Sequence, residues 1–193
     1  MGDEPSPSPR SPGLYDRRLR LIGAAVAVIV GLTAGVLILR SSATGSSSGA
    51  AVSSTDPSRF DLPSLGTGGR VRLADFRGRP VVANFFASWC TACRGELPGF
   101  RRVSQELRGK VAFIGVNSQE TGDGLAFARE NGIDSWPLAR DVGGTQDSGL
   151  HDALGASGLP ITAFYDASGR LLKVHIGAFT EEALRAQLQE LYK

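Results

Sequence analysis

The 193-residue chain is close to electroneutral, with 21 Lys and Arg against 19 Asp and Glu for a net charge of +2. That balance leaves no electrostatic footprint for nucleic acid. Two cysteines and two distant histidines fall short of a four-ligand structural zinc site, and no phosphate-binding glycine pattern or internal repeat is present, so neither a metal nor a cofactor is expected.

Met1 to Pro12 is rich in Ser and Pro and is expected to be disordered. Leu21 to Leu39 then runs for 19 residues without a charge. As a helix it spans about 28 Å, enough to cross a hydrocarbon core. It outlasts a typical signal-peptide apolar region, so a signal anchor is expected, with cleavage near Ser41-Ser42-Ala43 as the rival. Arg10, Arg17, Arg18 and Arg20 precede the run, and only Arg40 follows closely. The positive-inside bias places residues 1–20 in the cytoplasm and Phe60 onward outside. Gly31 and Gly35 have helix-packing spacing, but chance in an Ala/Gly-rich span is the simpler account. Ser41 to Ser58 reads as a Ser/Gly-rich tether reaching roughly 23 Å. The organisation is thus a tail (1–20), a single-pass anchor (21–39), a linker (40–59) and one domain (60–193).

Within that domain, Phe60-Asp61-Leu62 and Val71-Arg72-Leu73 flank Gly66-Thr67-Gly68-Gly69, which predicts a hairpin. Val81 to Phe86 is an apolar run suited to a buried strand. Trp89-Cys90-Thr91-Ala92-Cys93 follows, and Arg94 to Arg108 then carries Leu97, Phe100, Val103 and Leu107 at helical spacing. Pro98 lies inside that pattern and should kink the helix. Two thiols three residues apart at a helix N-terminus can close and reopen a small disulfide, because the dipole and the free amides favour thiolate. So small a loop removes little unfolded-state entropy, which argues against a purely stabilising bridge. Downstream, Val111 to Asn117 predicts a second buried strand, Gly124 to Asn131 a helix, Trp136 to Arg140 an extended piece and Asp147 to Leu154 a short helix. Ile161 to Tyr165 and Leu171 to Ile176 form a hairpin across Asp166-Ala167-Ser168-Gly169. Thr180 caps a last helix, with Glu181 and Glu182 in its first turn. The fold class is α/β, a mixed central sheet with helices on both faces.

The segment Asn84-Phe85-Phe86-Ala87-Ser88-Trp89-Cys90-Thr91-Ala92-Cys93-Arg94-Gly95-Glu96-Leu97-Pro98 resembles the active-site segment of the TlpA/ResA-like branch of the thioredoxin superfamily. The resemblance extends from about Phe60 to Tyr192. It implies a thioredoxin-like fold with an N-terminal hairpin and a central insertion between Gly122 and Leu154. It also implies a membrane-tethered, extracytoplasmic thiol–disulfide oxidoreductase whose redox-active disulfide joins Cys90 and Cys93. Cys90, nearer the strand and more exposed, would attack, and Cys93 would resolve. Glu96 would lie near the pair and modulate its titration; an ordinary solvated helix glutamate is the alternative. Pro160 would be cis and face the cysteines, with Leu159 offering its amide and carbonyl to substrate. Trp89 would contact substrate or simply pack on the domain. Arg94 adjoins Cys93 but is worth little if exposed. Trp136 reads as a core or insertion residue, and His151 and His175 as surface or strand polar residues. The family commonly has proline where this chain has Ala92, which bears on redox poise.

The implied activity is reduction of extracytoplasmic protein disulfides, apocytochrome c among the candidate substrates, with electrons from a transmembrane donor of the CcdA/DsbD type. Two alternatives are weaker. A thiol peroxidase typically shows P-x-x-x-T/S-x-x-C, and Ala83 and Ala87 occupy those places before Cys90. A Sco-like copper carrier uses CxxxC with a downstream histidine, one residue longer than the spacing here.

Overall fold

The computed structural model describes residues 56–66 and 68–193. The tail, the apolar run Leu21–Leu39 and nearly all of the linker lie outside the described residues. Among those described, no helix is long and apolar enough to cross a membrane.

A short hairpin pairs β1 (Asp61–Pro63) with β2 (Arg70–Arg72), Leu62 opposite Val71. A 3₁₀ turn at Leu73–Phe76 leads to β3 (Val81–Phe86), followed by α1 (Thr91–Glu106), β4 (Ala112–Asn117), α2 (Gly124–Glu130) and β5 (Leu138–Arg140). The chain ends with α3 (Gly149–Ala153), β6 (Ile161–Tyr165), β7 (Leu171–Ile176) and α4 (Glu181–Leu191). The main sheet has the order β5-β4-β3-β6-β7. β4 runs parallel to β3 and β5 parallel to β4, whereas β6 and β7 are antiparallel to their neighbours. The thioredoxin-like α/β arrangement expected from the sequence is the one observed.

All six residues of β3 are buried because it is the central strand of a sheet covered on both faces. Successive side chains point to opposite faces. Val82 and Phe86 join the core beneath α1, α2 and α4, with Leu97, Phe100, Phe127 and Leu184. Val81, Ala83 and Phe85 face the other core, with Phe60, Leu62 and Leu73 of the N-terminal segment and Leu150 of α3. Each large side chain so buried contributes about 1.5–3 kcal/mol. The Phe86 and Phe127 rings stack at 5.6 Å, and Phe164 and Phe179 meet edge to face at 5.9 Å.

Local signals explain most boundaries. Thr180 Oγ1 accepts the Ala183 N–H, as its sequence context predicted, and Asp123 caps α2 through the Ala126 N–H. α1 begins earlier than its apolar period suggested, because Cys90 itself is the N-cap. α3 is shorter than expected: Gln146 and Asp147 have φ of 57° and 53°, which keeps them out of the helix. The extended piece around Trp136 to Arg140 is not a detached excursion. Its Leu138–Arg140 part pairs with β4, and a bridge from Ser64 to Ala139 lays the N-terminal segment over that edge.

Candidate active site

Cys90 and Cys93 form a disulfide, with their Cα atoms 5.3 Å apart. Cys90 caps α1, its Sγ accepting the Cys93 N–H at 3.1 Å. Cys90 keeps 4% of its surface and Cys93 none. On reduction, the sulfur at position 90 sits against the first amides of a sixteen-residue helix, the place where a thiolate is stabilised by N–H groups and by the dipole. Beside it Trp89 is half exposed, its indole N–H donating to the Gln119 carbonyl at 2.7 Å. Arg94 is occupied elsewhere: it pairs with Glu130 and lies over the Phe127 ring.

The loop after β4 holds the strand-to-helix junction in place, which sequence reasoning missed. Glu120 accepts from the Ser88 amide at 2.9 Å, the Ser88 hydroxyl at 2.5 Å and Asn117 Nδ2 at 2.7 Å, besides the amides of Thr121 and Gly122. Burial opposes its ionisation, yet these donors keep its carboxyl below the usual glutamate range. A Cβ at Gly124 would collide with the Asn117 amide, so glycine lets α2 start this close to the site. The sequence signal for the loop was slight, a polar Asn117 closing an otherwise apolar strand.

Glu96 is buried, one helical turn beyond Cys93, and is not the solvated glutamate considered as the alternative. Its carboxylate accepts Asn84 Nδ2 at 2.7 Å and the Phe179 N–H at 2.9 Å. Burial raises its pKa to about 7, against the pull of those two hydrogen bonds. This gives a signed expectation. Between the ordinary glutamate pKa near 4.5 and about 7, the folded chain holds a proton that the unfolded chain has released. Stability of the oxidised protein therefore falls as pH rises through that window, by on the order of 3 kcal/mol at most. Glu96→Gln should flatten the fall, as read by urea midpoints at pH 5 and 8. His175, lowered by burial, and Asp141, raised by burial, titrate in both proteins, so the difference isolates Glu96.

The Leu159–Pro160 peptide is cis, and Gly177 N–H donates to the Pro160 carbonyl. Register places this turn beside the cysteines. β6 pairs Ile161 with Phe85 and Thr162 with Asn84, so Pro160 enters β6 at the sheet end where β3 leaves for Cys90. Leu159 packs against the core that contains both cysteines. Neither its amide nor its carbonyl has a partner among the described residues. The segment before it is fixed by His151. That residue was expected to be a surface or strand polar residue, but it is fully buried on α3, and its Nε2 lies 3.1 Å from the Gly158 carbonyl. Leu150 and Leu154 carry the helix inward and take the histidine between them with it. His175, as expected, is a strand residue; its ring lies on Phe179 at 3.8 Å. Trp136 is buried against Phe113.

A model of the AhpC/TSA family matches residues 56–174. The chain belongs to that family. Among its relatives, the thiol–disulfide oxidoreductase ResA of Geobacillus thermodenitrificans is 32% identical, over 73% of this chain and 78% of the relative. The thiol:disulfide interchange protein DsbE of Pseudomonas fluorescens is 29% identical over 69% and 72%. The lipoprotein thioredoxin Etrx1 of Streptococcus pneumoniae superposes with a TM-score of 0.58 at 27% identity, over 69% of this chain and 99% of that one. This AhpC/TSA chain is a thiol–disulfide oxidoreductase with a Cys-x-x-Cys pair. Among the described residues no group of three or more His, Cys, Asp or Glu is arranged to hold a metal ion.

Proposed function

We propose that this oxidoreductase reduces protein disulfides outside the cytoplasm while anchored by Leu21–Leu39, and that a transmembrane donor of the CcdA/DsbD type recharges it. The observation that carries the reading is the pairing of a helix-capping Cys90 with a free backbone at Leu159, the residue directly before the cis-proline. An extended substrate can add its own amides to Leu159 there and bring its disulfide to Cys90. Trp89, half exposed and held by Gln119, offers that substrate an apolar face.

The Cys90 thiolate attacks one substrate sulfur, and the other leaves as a thiolate that takes a proton from solvent. Cys93 then gives its proton to the Glu96 carboxylate and attacks the Cys90 sulfur, releasing the second substrate thiol. Two electrons pass to the substrate, and the enzyme is left with the Cys90–Cys93 bond seen here. A carboxyl with a pKa near 7 can take a thiol proton and return it at physiological pH. Support for the location is the uncharged run with arginines on its N-terminal side. Apocytochrome c fits as a substrate because its haem-attachment thiols must be kept reduced in an oxidising compartment.

Ala92 bears on direction. It lacks proline's fixed φ and restores an N–H next to the cysteines, a donor that favours thiolate and raises the potential. We expect reducing character to persist, with a potential well below about −120 mV, the value of a strong disulfide donor. Equilibration of the full chain with glutathione buffers measures it; a value as high as that reference would make the protein an oxidant.

A further inference from the structure

Asn84 is the one polar residue in the buried strand β3, and its amide is half used. Nδ2 donates to Glu96 at 2.7 Å and reaches Thr162 Oγ1 at 3.4 Å, while Oδ1 is buried without a hydrogen-bond partner among the described residues. A buried acceptor left unpaired is costly, so an apolar residue would suit the strand better unless the oxygen has a use. The other Glu96 oxygen is held by the Phe179 N–H. A proton arriving on Glu96 is thus directed to the oxygen that faces Asn84, where it would meet the Nδ2 hydrogens. Turning the amide half a revolution about its last bond removes the clash, because Oδ1 then accepts the new O–H. Thr162, opposite Asn84 in the sheet, has a hydroxyl that can accept in one state and donate in the other.

We propose that Asn84 is a positioning residue for the redox reaction, a two-position amide that donates to the Glu96 carboxylate and, reversed, accepts from the Glu96 carboxylic acid. This rests on Glu96 serving as the proton acceptor for Cys93. Each orientation leaves one amide atom unpaired, but the bond donated to the charged carboxylate is the stronger of the two, so Asn84 favours the ionised form while its reversal still accommodates the acid. The proton can then arrive and leave within one catalytic cycle. An apolar residue at 84 would leave the carboxylate with a single donor, and a cation there would hold it ionised.

The groups around Glu96 do not supply an alternative control. Cys93 lies on its own helix, and the Asn84 and Thr162 side chains on β3 and β6 are neutral. His175 of β7 meets the far partner Phe179 by ring stacking. Glu181 at the start of α4 is paired with Arg102 and Arg185. Among the described residues no charge of either sign enters the balance at Glu96, which is set by burial and by the two hydrogen bonds.

The test separates this inference from the role of Glu96. Carboxyl-carbon NMR of the oxidised full chain follows the Glu96 titration directly, without reference to turnover. Asn84→Ala removes one donor to the carboxylate and should move the midpoint up by about one pH unit. Asn84→Asp, which keeps the shape and replaces the donor by a second carboxyl, should move it further in the same direction. It serves as the second variant if the alanine protein fails to fold. The pH profile of disulfide reduction should shift with the midpoint in Asn84→Ala, and should not shift when Asn84→Ala is added to Glu96→Gln. In Glu96→Gln itself the new amide mimics the acid, and Asn84 should be found reversed, Oδ1 toward Gln Nε2. A midpoint unmoved in both Asn84 variants overturns the proposal, as does an equal profile shift in the Glu96→Gln background. A profile unchanged by Glu96→Gln alone removes Glu96 from the reaction, a different failure.

Discussion

Replacing Cys93 by alanine should arrest the enzyme as a mixed disulfide between Cys90 and its substrate, with turnover reduced by about a thousandfold or more. The geometry dictates the order. Cys90 is the cap residue, retains the little exposure the pair has, and occupies the helix position where thiolate is stabilised. Cys93 is fully buried one turn in, out of reach of an external disulfide but bonded to the Cys90 sulfur. The Cys93→Ala protein, reduced and offered a disulfide substrate, should therefore retain an adduct visible by mass and released by dithiothreitol. Cys90→Ala should lose turnover equally and form no adduct. Recovery of the adduct at Cys93 in the Cys90→Ala protein would reverse the assigned roles.

The largest stability effect is expected far from the cysteines. Asp141, directly after β5, is fully buried and accepts four hydrogen bonds: from the Val142, Leu150 and His151 amides and from the Ser118 hydroxyl. It caps α3 from a distance, since Ser148 makes no side-chain cap of its own. A Cβ at Gly149 would collide with the Val142 carbonyl, so the helix start and the Asp141 turn are fitted to each other. Asp141→Ala strands three amides and leaves the Ser118 hydroxyl only its longer bond to the Asp147 carbonyl. Part of that loss is offset because burial already disfavours this carboxylate, holding its pKa above the usual range. A net cost of about 3–5 kcal/mol remains, a fall in Tm on the order of 10 °C for a domain of this size. Asp141→Asn, which keeps one acceptor, should cost roughly half as much. Calorimetry of the oxidised proteins checks both; a loss below about 1 kcal/mol for the alanine variant would show that water replaces the carboxylate.

The elements that carry their own local signal were legible in the sequence. The Val81–Phe86 run, the Thr180 cap, the hairpin across Asp166–Gly169 and the Cys-x-x-Cys junction each depend on neighbours within a few residues. The cis Leu159–Pro160 bond came from family resemblance rather than from local pattern, and it agrees with the structure. What stayed hidden depends on partners distant in sequence. Glu96 was singled out by family resemblance, but its burial and its partners were not legible, because Asn84 and Phe179 are brought to it from β3 and from the turn before α4. Asn84 offered a clue in that a lone amide within an apolar strand requires a partner, though the partner could not be named. His151 was misread because α3 is too short for its period to show which face is inward. Glu120 gave no signal at all, since its five donors converge only when the β4 loop closes over Ser88.

The position of β3 in the sheet has a consequence for how the chain is made. Its β4 neighbour follows within the next helix and loop, but its other neighbour, β6, is the last strand but one, with Val81 paired to Tyr165. As the polypeptide emerges from the ribosome N-terminus first, the strand that leads to Cys90 stays open along one side until nearly the whole domain is out. Leu159–Pro160 arrives with that closing strand. The two thiols are thus synthesised long before the turn that will cover them, and during that interval they are ordinary cysteines of an unfinished sheet, open to any oxidant or chaperone that reaches them first.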